Sequence, residues 1–124
     1  MTDTKDLIFH VCRADEWAKA QVAGNYGGST QDHADGFIHL SAFDQVRGSV
    51  AKHRAGQDNL VILCVDPMKV PKAVLRWEAS RGGKLFPHIY GVIELDAVVR
   101  TEPLHLNKEG HHEFPADIGI EGGD

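Results

Sequence analysis

The sequence predicts an α+β domain with about six strands and two main helices, both helices lying near the N-terminus. Two observations predict this class: segments with the residue pattern of strands outnumber segments with helical spacing, and the helical segments come early in the chain. The chain has 124 residues, of which 42% are hydrophobic and 25% are charged. This length and composition are typical of one domain that buries a core without disulfides or metals.

The N-terminal half is predicted to alternate between strand and helix. The first strand is rich in β-branched and aromatic residues, and the helix after it has apolar residues at helical spacing up to Gly24. Ser41, with Asp44 three residues later, resembles the start of a second helix. The predicted elements are a strand over 7–12, a helix over 13–23, a polar loop over 25–35, a strand over 36–40 and a helix over 41–56.

The C-terminal half is predicted to contain four further strands. The stretch 60–65 is apolar throughout, which predicts burial on both faces, and Pro67 ends that strand. Turn residues and short breaks separate the strands that follow. The predicted strands cover residues 60–66, 74–79, 89–95 and 98–102.

The charge of the chain is concentrated at its C-terminal end. From Pro103 onward the periodic pattern is lost, so we expect one domain over residues 1–106 and an acidic, extended or partly disordered tail over 107–124. The net charge is −5, and the tail, with five acids and one lysine, carries −4 of it. The domain itself is nearly neutral and has no overall field that attracts nucleic-acid backbones, so general nucleic-acid binding is not expected.

The cysteines and the apolar segments bear on the cellular compartment. Cys12 and Cys64 lie far apart without Cys-x-x-Cys spacing, which is typical of reduced thiols in a cytosolic protein. The first residues contain no signal-peptide core, and the longest apolar stretch is too short to span a bilayer. We therefore expect a cytoplasmic chain that does not associate with membranes, and the oligomeric state stays open.

Several predicted strands combine one apolar face with one face that carries chemically active side chains. Successive side chains of a strand point to opposite faces, so residues of like parity can meet. If the polar faces converge, they line a cleft. That cleft would contain general acid/base groups, a guanidinium that can bind an anion and an aromatic ring that can stack on a ligand. The alternative is that an antiparallel sheet has one solvated face, where polar residues need no purpose. The residues concerned are His10, His39, Arg76, Glu78, His88 and Tyr90.

The other histidines and the remaining motifs narrow the possible chemistry. His33 lies in the polar loop, and His53 lies on a predicted helix beside two basic residues. His111 and His112 are adjacent and lack the ligand spacing of a dedicated zinc site, so no metal is expected. The sequence contains no Gly-x-Ser-x-Gly, Walker A or Gly-x-Gly-x-x-Gly motif, so esterase, P-loop and Rossmann functions have no support.

The sequence resembles the uncharacterised bacterial family known as domain of unknown function 952. The resemblance extends over about residues 7–100, nearly the whole predicted domain, and leaves the tail unmatched. It rests on a series of short blocks taken in order. These are Ile8-Phe9-His10-Val11, Trp17, Gly24 to Tyr26, Gly36-Phe37-Ile38-His39-Leu40-Ser41, Leu63 to Pro67, Arg76-Trp77-Glu78, Gly83 to Gly91 and Leu95 to Val99.

The resemblance implies membership of the ADP-ribosyltransferase-like superfamily. That superfamily implies an ADP-ribosylation-like fold, with a split, mostly antiparallel sheet around a cleft that takes NAD as substrate. By the same resemblance, His10 holds the ribose and the nicotinamide amide, and His39 and Ser41 lie at the nicotinamide pocket. Glu78 is the nearest match in type to the catalytic glutamate, although it stands in Arg76-Trp77-Glu78 and not in the usual acidic pair motif.

Further roles follow from the same resemblance. Tyr90 is a candidate stacking ring, His88 lies beside it at the cofactor site, and Arg76 or Arg81 is a candidate for holding the pyrophosphate. The two-histidine pattern also resembles the branch that contains RNA 2′-phosphotransferases. Two hypotheses about function remain close: an NAD-dependent ADP-ribosyl or related transferase, or a non-catalytic module that binds a nucleotide or another small molecule. A purely structural or interaction domain would instead show a flat polar face.

Overall fold

The computed structural model of the chain describes residues 3–80 and 82–120. They form a mixed α+β fold with more strands than the six predicted. Short 3₁₀ turns cover Thr4–Asp6, Pro67–Lys69 and Leu95–Ala97. The helices are α1 (Ala14–Ala23), α2 (Thr30–Asp35) and α3 (Val46–His53), and the strands are β1 (Ile8–Arg13), β2 (Asn25–Tyr26), β3 (Ile38–His39), β4 (Leu60–Val65), β5 (Leu75–Ala79), β6 (Leu85–Ile89), β7 (Ile93–Glu94), β8 (Val98–Leu106) and β9 (His112–Glu113).

Three antiparallel sheets make up the strand framework of the described residues. The largest has the order β1-β4-β8-β9, the second has the order β3-β6-β5, and β2 pairs with β7 in the third. The first two sheets meet where Phe9 of β1 and Ser41, just after β3, form an isolated antiparallel bridge. Their peptide groups exchange two hydrogen bonds of 2.8 and 2.7 Å. This bridge brings β1 and β3 side by side.

The β1/β4 pair is buried on both faces, as the apolar run in residues 60–65 predicts. One face packs in a cluster that contains Ile8, Leu63 and Ile89, and the other packs in a cluster that contains Phe9 and Ile62. Alternation along the strands therefore divides the core into two layers. His10 shares its face with the first cluster and is buried, so the alternative of a solvated polar face does not apply to it.

The helices differ from the prediction at two places. Ser41 does not open a helix because its backbone pairs with Phe9, and α3 begins only at Val46. Residues 30–35 form the helix α2 and not a loop, since Ser29 and Asp32 complete a capping box at its start. The first predicted helix, α1, starts within one residue of its expected position. It ends before Gly24, whose φ of 95° is left-handed.

The predicted strand over 89–95 is two strands. β6 ends at Ile89, the chain turns, and the short β7 begins at Ile93, where it pairs with β2. β6 begins at Leu85, before Pro87, which pairs with Trp77 of β5. On its other side β6 pairs with β3 through His88 and Ile89. Pro87 lies outside this second pairing, so its missing N–H does not interrupt it.

The segment after residue 106, which sequence analysis describes as a tail, makes specific contacts with the domain. β8 runs to the boundary at Leu106, and β9 pairs back onto it. Ile118 is fully buried in the second core cluster. The Arg47 guanidinium on α3 donates hydrogen bonds to the carbonyls of Ile118 and Pro115, at 2.8 and 3.1 Å. Residues 107–120 therefore cover one edge of the core.

Helices long and apolar enough to cross a membrane are not found in the described part of the chain.

Candidate functional site

A cavity of about 650 Å³ opens beside β1, α2, β3 and α3. Its volume falls in the usual range for small-molecule sites, roughly 300–1,000 Å³. Four of the residues singled out from the sequence line it, namely His10, His39, Ser41 and His88. The other three, Arg76, Glu78 and Tyr90, are not among its lining residues but connect to it through His88.

His39 is a partly exposed lining histidine, with 40% of its side chain accessible, and both of its ring nitrogens face carboxylates. Nδ1 lies 2.6 Å from Oδ1 of Asp32, and Nε2 lies 3.0 Å from Oδ2 of Asp35. Ionised carboxylates only accept hydrogen bonds, so this arrangement favours the imidazolium, in which both ring nitrogens carry hydrogen. The pKa of His39 is raised, chiefly by the hydrogen bond to Asp32, against the opposing effect of partial burial.

Asp32 is the buried anchor of the site, with 3% of its side chain exposed. Oδ1 accepts hydrogen bonds from both the ring and the backbone N–H of His39, and Oδ2 accepts from the backbone N–H of Ser29 at 2.8 Å. Burial alone would raise the pKa of this carboxyl. The hydrogen bonds and the nearby imidazole of His10 outweigh burial and hold the pKa well below its usual range.

His10 has both ring nitrogens engaged within the protein. Nδ1–H donates to the carbonyl oxygen of His39 at 2.6 Å, and Nε2 accepts from the hydroxyl of Tyr26 at 2.7 Å. Burial lowers the pKa of His10, although Asp32 opposes this effect, so the ring is neutral. In this arrangement His10 forms a wall of the cavity and ties β1 to β2 and β3.

A second carboxylate–histidine pair lies beside the first. His88 Nδ1–H donates to Oε1 of Glu78 at 2.8 Å, and the Tyr90 hydroxyl donates to the same oxygen at 2.6 Å. These two hydrogen bonds lower the pKa of Glu78, and the bond to Glu78 raises the pKa of Tyr90. The ring centroids of His88 and His39 are 5.6 Å apart in an edge-to-face arrangement.

Strand register explains why these side chains meet. His39 faces His88 across β3 and β6, and Arg76 faces His88 across β6 and β5, so all three point to one face. The Arg76 guanidinium lies 5.1 Å from the centre of the Tyr90 ring. Phe37 stacks on His88 with ring centroids 4.2 Å apart, which restricts the imidazole.

Basic side chains line another part of the cavity wall. Arg13, His53 and Arg54 all contribute to it. Arg54 donates one hydrogen bond to the carbonyl of Val11 at 3.0 Å, which holds its guanidinium against β1. Arg81, the other candidate for a pyrophosphate clamp, lies outside the described residues. No group of three or more metal-ligating side chains lies close enough to hold a metal ion within residues 3–80 and 82–120.

Comparison with known proteins identifies the family. The family described as "Protein of unknown function (DUF952)" matches residues 11–101, most of the chain. The chain belongs to this family. None of the curated proteins compared with the DUF952 chain matches it.

Solved structures of one other protein share the fold over most of this chain. The crystal structure of protein CC0527 from Caulobacter crescentus is similar to the DUF952 chain at a TM-score of 0.81 and 42% identity, over 86% of this chain and 93% of CC0527. A double mutant of CC0527 gives the same values. The solution NMR structure of CC0527 has a TM-score of 0.75 at 42% identity and covers 86% of this chain and 90% of CC0527.

Sequence reasoning missed the acidic half of this DUF952 site. Asp32, Asp35 and Tyr26 all fall in the stretch that predicts a polar loop. A usable signal was present, since Ser29 followed three residues later by Asp32 is a helix-start pattern. A helix starting there places Asp32 and Asp35 on neighbouring positions one turn apart, so that both carboxylates can reach one partner.

Proposed function

We propose that the cavity at His39 is a nucleotide site and that the chain transfers the ADP-ribosyl group of NAD, or a related group, from it. The observation that carries this proposal is His39, held between Asp32 and Asp35 at the wall of a cavity of nucleotide size. The two larger sheets meet at the bridge between Phe9 and Ser41, and this split arrangement supports an ADP-ribosyltransferase-like fold.

The acidic side of the cavity suits the chemistry of this transfer. Breaking the bond between nicotinamide and ribose builds an oxocarbenium-like cation, which a nearby carboxylate stabilises. Asp35 lines the cavity and is 38% exposed, so its carboxylate is available to a ligand. Glu78 is expected to act through His88, because His88 is the member of that pair which lines the cavity.

The basic side of the cavity suits the diphosphate of the ligand. Arg54 and Arg13 line the same cavity, and a guanidinium binds phosphate oxygens in pairs. Arg76 is exposed and stacks on Tyr90 away from the lining residues, so in this proposal Arg54 takes the role first considered for Arg76.

A non-catalytic binding module is the second candidate. It is favoured by the engagement of both ring nitrogens of His10 within the protein and by the position of Glu78 behind His88. In that case the cavity binds a nucleotide but leaves its glycosidic bond intact.

The test is calorimetry with NAD on the full chain, combined with chromatographic measurement of nicotinamide release. Substitution His39→Ala should weaken NAD binding at least tenfold, about 1.4 kcal/mol. The matched control is His33→Ala, since His33 is exposed on α2 and is not a lining residue. Binding with release supports the transferase, and binding without release supports the module. No binding at millimolar NAD contradicts both.

A further inference from the structure

We infer that the site cleaves neutral N-ribosides with water, purine nucleosides and nucleoside monophosphates being the substrate class, by protonating the departing base at His39. This inference rests on the proposed function only in taking the cavity as the site of a ribosyl ligand. It does not require that NAD binds.

His39 carries the proton that this cleavage requires. Its two ring nitrogens face Asp32 at 2.6 Å and Asp35 at 3.0 Å, so the ring is a cation supported on both sides. Nicotinamide departs from NAD as a neutral molecule and takes no proton, so a proton donor adds nothing at that step. A purine departs from a neutral riboside as an anion unless an acid protonates it. A fixed imidazolium therefore matches the purine riboside better than NAD.

The two carboxylates around His39 have different roles because their burial differs. Asp32 is almost fully buried and holds both the ring and the backbone N–H of His39, so it fixes the orientation of the imidazole. Asp35 is partly exposed, and its bond to Nε2–H is exchangeable. When the base of a bound substrate replaces Asp35 as the acceptor of Nε2–H, the Asp35 carboxylate becomes free. It can then stabilise the positive charge that develops on the ribose.

His88 supplies the complementary base. Nδ1–H is held by Glu78, which leaves Nε2 as the ring nitrogen that can accept a proton from a water molecule. His88 lines the same cavity as His39, with the two ring centroids 5.6 Å apart. One cavity therefore contains two histidines, each oriented through Nδ1 by its own carboxylate.

The step balances without a further reactant. The bond between C1′ and the base nitrogen breaks, its electron pair stays on the base, and Nε2 of His39 gives that nitrogen a proton. The oxygen of water forms a bond to C1′, and the water proton passes to Nε2 of His88. Proton return from His88 to His39 through solvent restores the site. The products are the free purine and ribose, or ribose phosphate, and nothing is oxidised or reduced.

The surrounding charges favour this cationic transition state over phosphoryl transfer. Asp32 and Asp35 of α2 face His39, Glu78 of β5 faces His88, and Tyr90 donates to Glu78. Three carboxylates around two histidines stabilise a positive charge on the ribose and repel the equatorial oxygens of a transferring phosphoryl group. Arg76, which lies opposite His88 in the sheet, stacks on the Tyr90 ring.

The experiment is release of free base from adenosine 5′-monophosphate and from inosine by the purified full chain, measured by chromatography over a range of pH. We expect release that falls as the pH rises through the raised pKa of His39, because the proton donor is then lost. Substitution His39→Ala should slow release at least a hundredfold, and His88→Ala, which removes the base, should slow it as well. His33→Ala, an exposed histidine on the same helix as Asp32, should leave the rate unchanged.

Asp35→Asn provides a second variant, because this exposed residue can change without disturbing the fold. It should slow base release at least tenfold while the circular dichroism spectrum stays that of the wild type. Absence of base release from both substrates, or equal rates in wild type and His39→Ala, would overturn the inference. Failure of NAD to bind would contradict the proposed function but not this inference, since release of purine is measured independently of NAD.

Discussion

His39 Nδ1 lies 2.6 Å from Oδ1 of Asp32, a carboxylate with 3% of its side chain exposed. The same oxygen also accepts the backbone N–H of His39 at 3.1 Å. One buried carboxylate therefore fixes the orientation, the hydrogen-bonding pattern and the charge of the histidine at the cavity wall. The arrangement joins α2 to β3 and depends on a helix in the stretch that the sequence analysis predicts to be a polar loop.

Asp32→Asn should destabilise the fold by about 2–3 kcal/mol. The amide cannot replace all the hydrogen bonds of a buried carboxylate whose partners include an imidazolium and two backbone N–H groups. The matched control is Asp35→Asn, whose partly exposed contact with His39 should contribute roughly 1 kcal/mol or less. Urea denaturation of the two variants measures the difference, and equal losses would contradict the assigned roles.

The stability that Asp32 and His39 contribute should depend on pH in a defined window. The pKa of Asp32 is held below its ordinary value of 3.8, so its contribution is present above that pH and is lost as the pH falls below it. The pKa of His39 is raised above 6.5, so its contribution is present below pH 6.5 and is lost as the pH rises through the folded-state pKa. The difference in unfolding free energy between wild type and Asp32→Asn should therefore be largest between about pH 4 and 6.5. Urea titrations at several pH values measure it, and a difference that grows above pH 7 would contradict this sign.

Tyr26→Phe should destabilise the fold by about 1–2 kcal/mol, because it leaves the buried Nε2 of His10 without its hydrogen-bond donor. Tyr90→Phe is the matched control. It removes a hydroxyl that donates to Glu78 at the surface, so its effect on stability should be smaller. Thermal or urea unfolding of both variants tests this order, and a larger loss at Tyr90 would reverse the roles given to the two hydroxyls.

Ile118→Ala should destabilise the fold by about 3 kcal/mol, since Ile118 is fully buried in the second core cluster. Ile120 is 48% exposed two residues later, and Ile120→Ala should cost less than about 0.5 kcal/mol. Chemical denaturation of the pair measures whether the segment after residue 106 belongs to the cooperative unit. Equal, small effects would show that it does not.

Much of the framework could be predicted because local patterns agree with the final packing. The continuous apolar run in residues 60–65 matches a strand buried on both faces. Side-chain parity placed His39, His88 and Arg76 on one face, and the observed register has the same arrangement. Residue type and alternation are properties of the chain itself, so they can be recognised before the fold is known.

The remainder depends on contacts between distant residues. Ser41 has a good helix-start pattern, but its pairing with Phe9 across the two sheets outweighs it. The apolar alternation over 89–95 continues across a turn, so it conceals the break between β6 and β7. His10 is buried because Tyr26 and the His39 carbonyl satisfy its ring, and nothing near His10 in the sequence indicates either partner.

The charge on His39 is the most direct test of the account. Nitrogen-detected NMR of the histidine rings as a function of pH measures which nitrogens carry hydrogen and at what pH each ring titrates. We predict that His39 titrates above pH 6.5 with both nitrogens protonated below that point, that Asp32→Asn and Asp35→Asn each lower its midpoint, and that His10 titrates below pH 6.5. A His39 ring that titrates at or below 6.5, unchanged by either substitution, would contradict the imidazolium on which the cleavage of neutral ribosides depends.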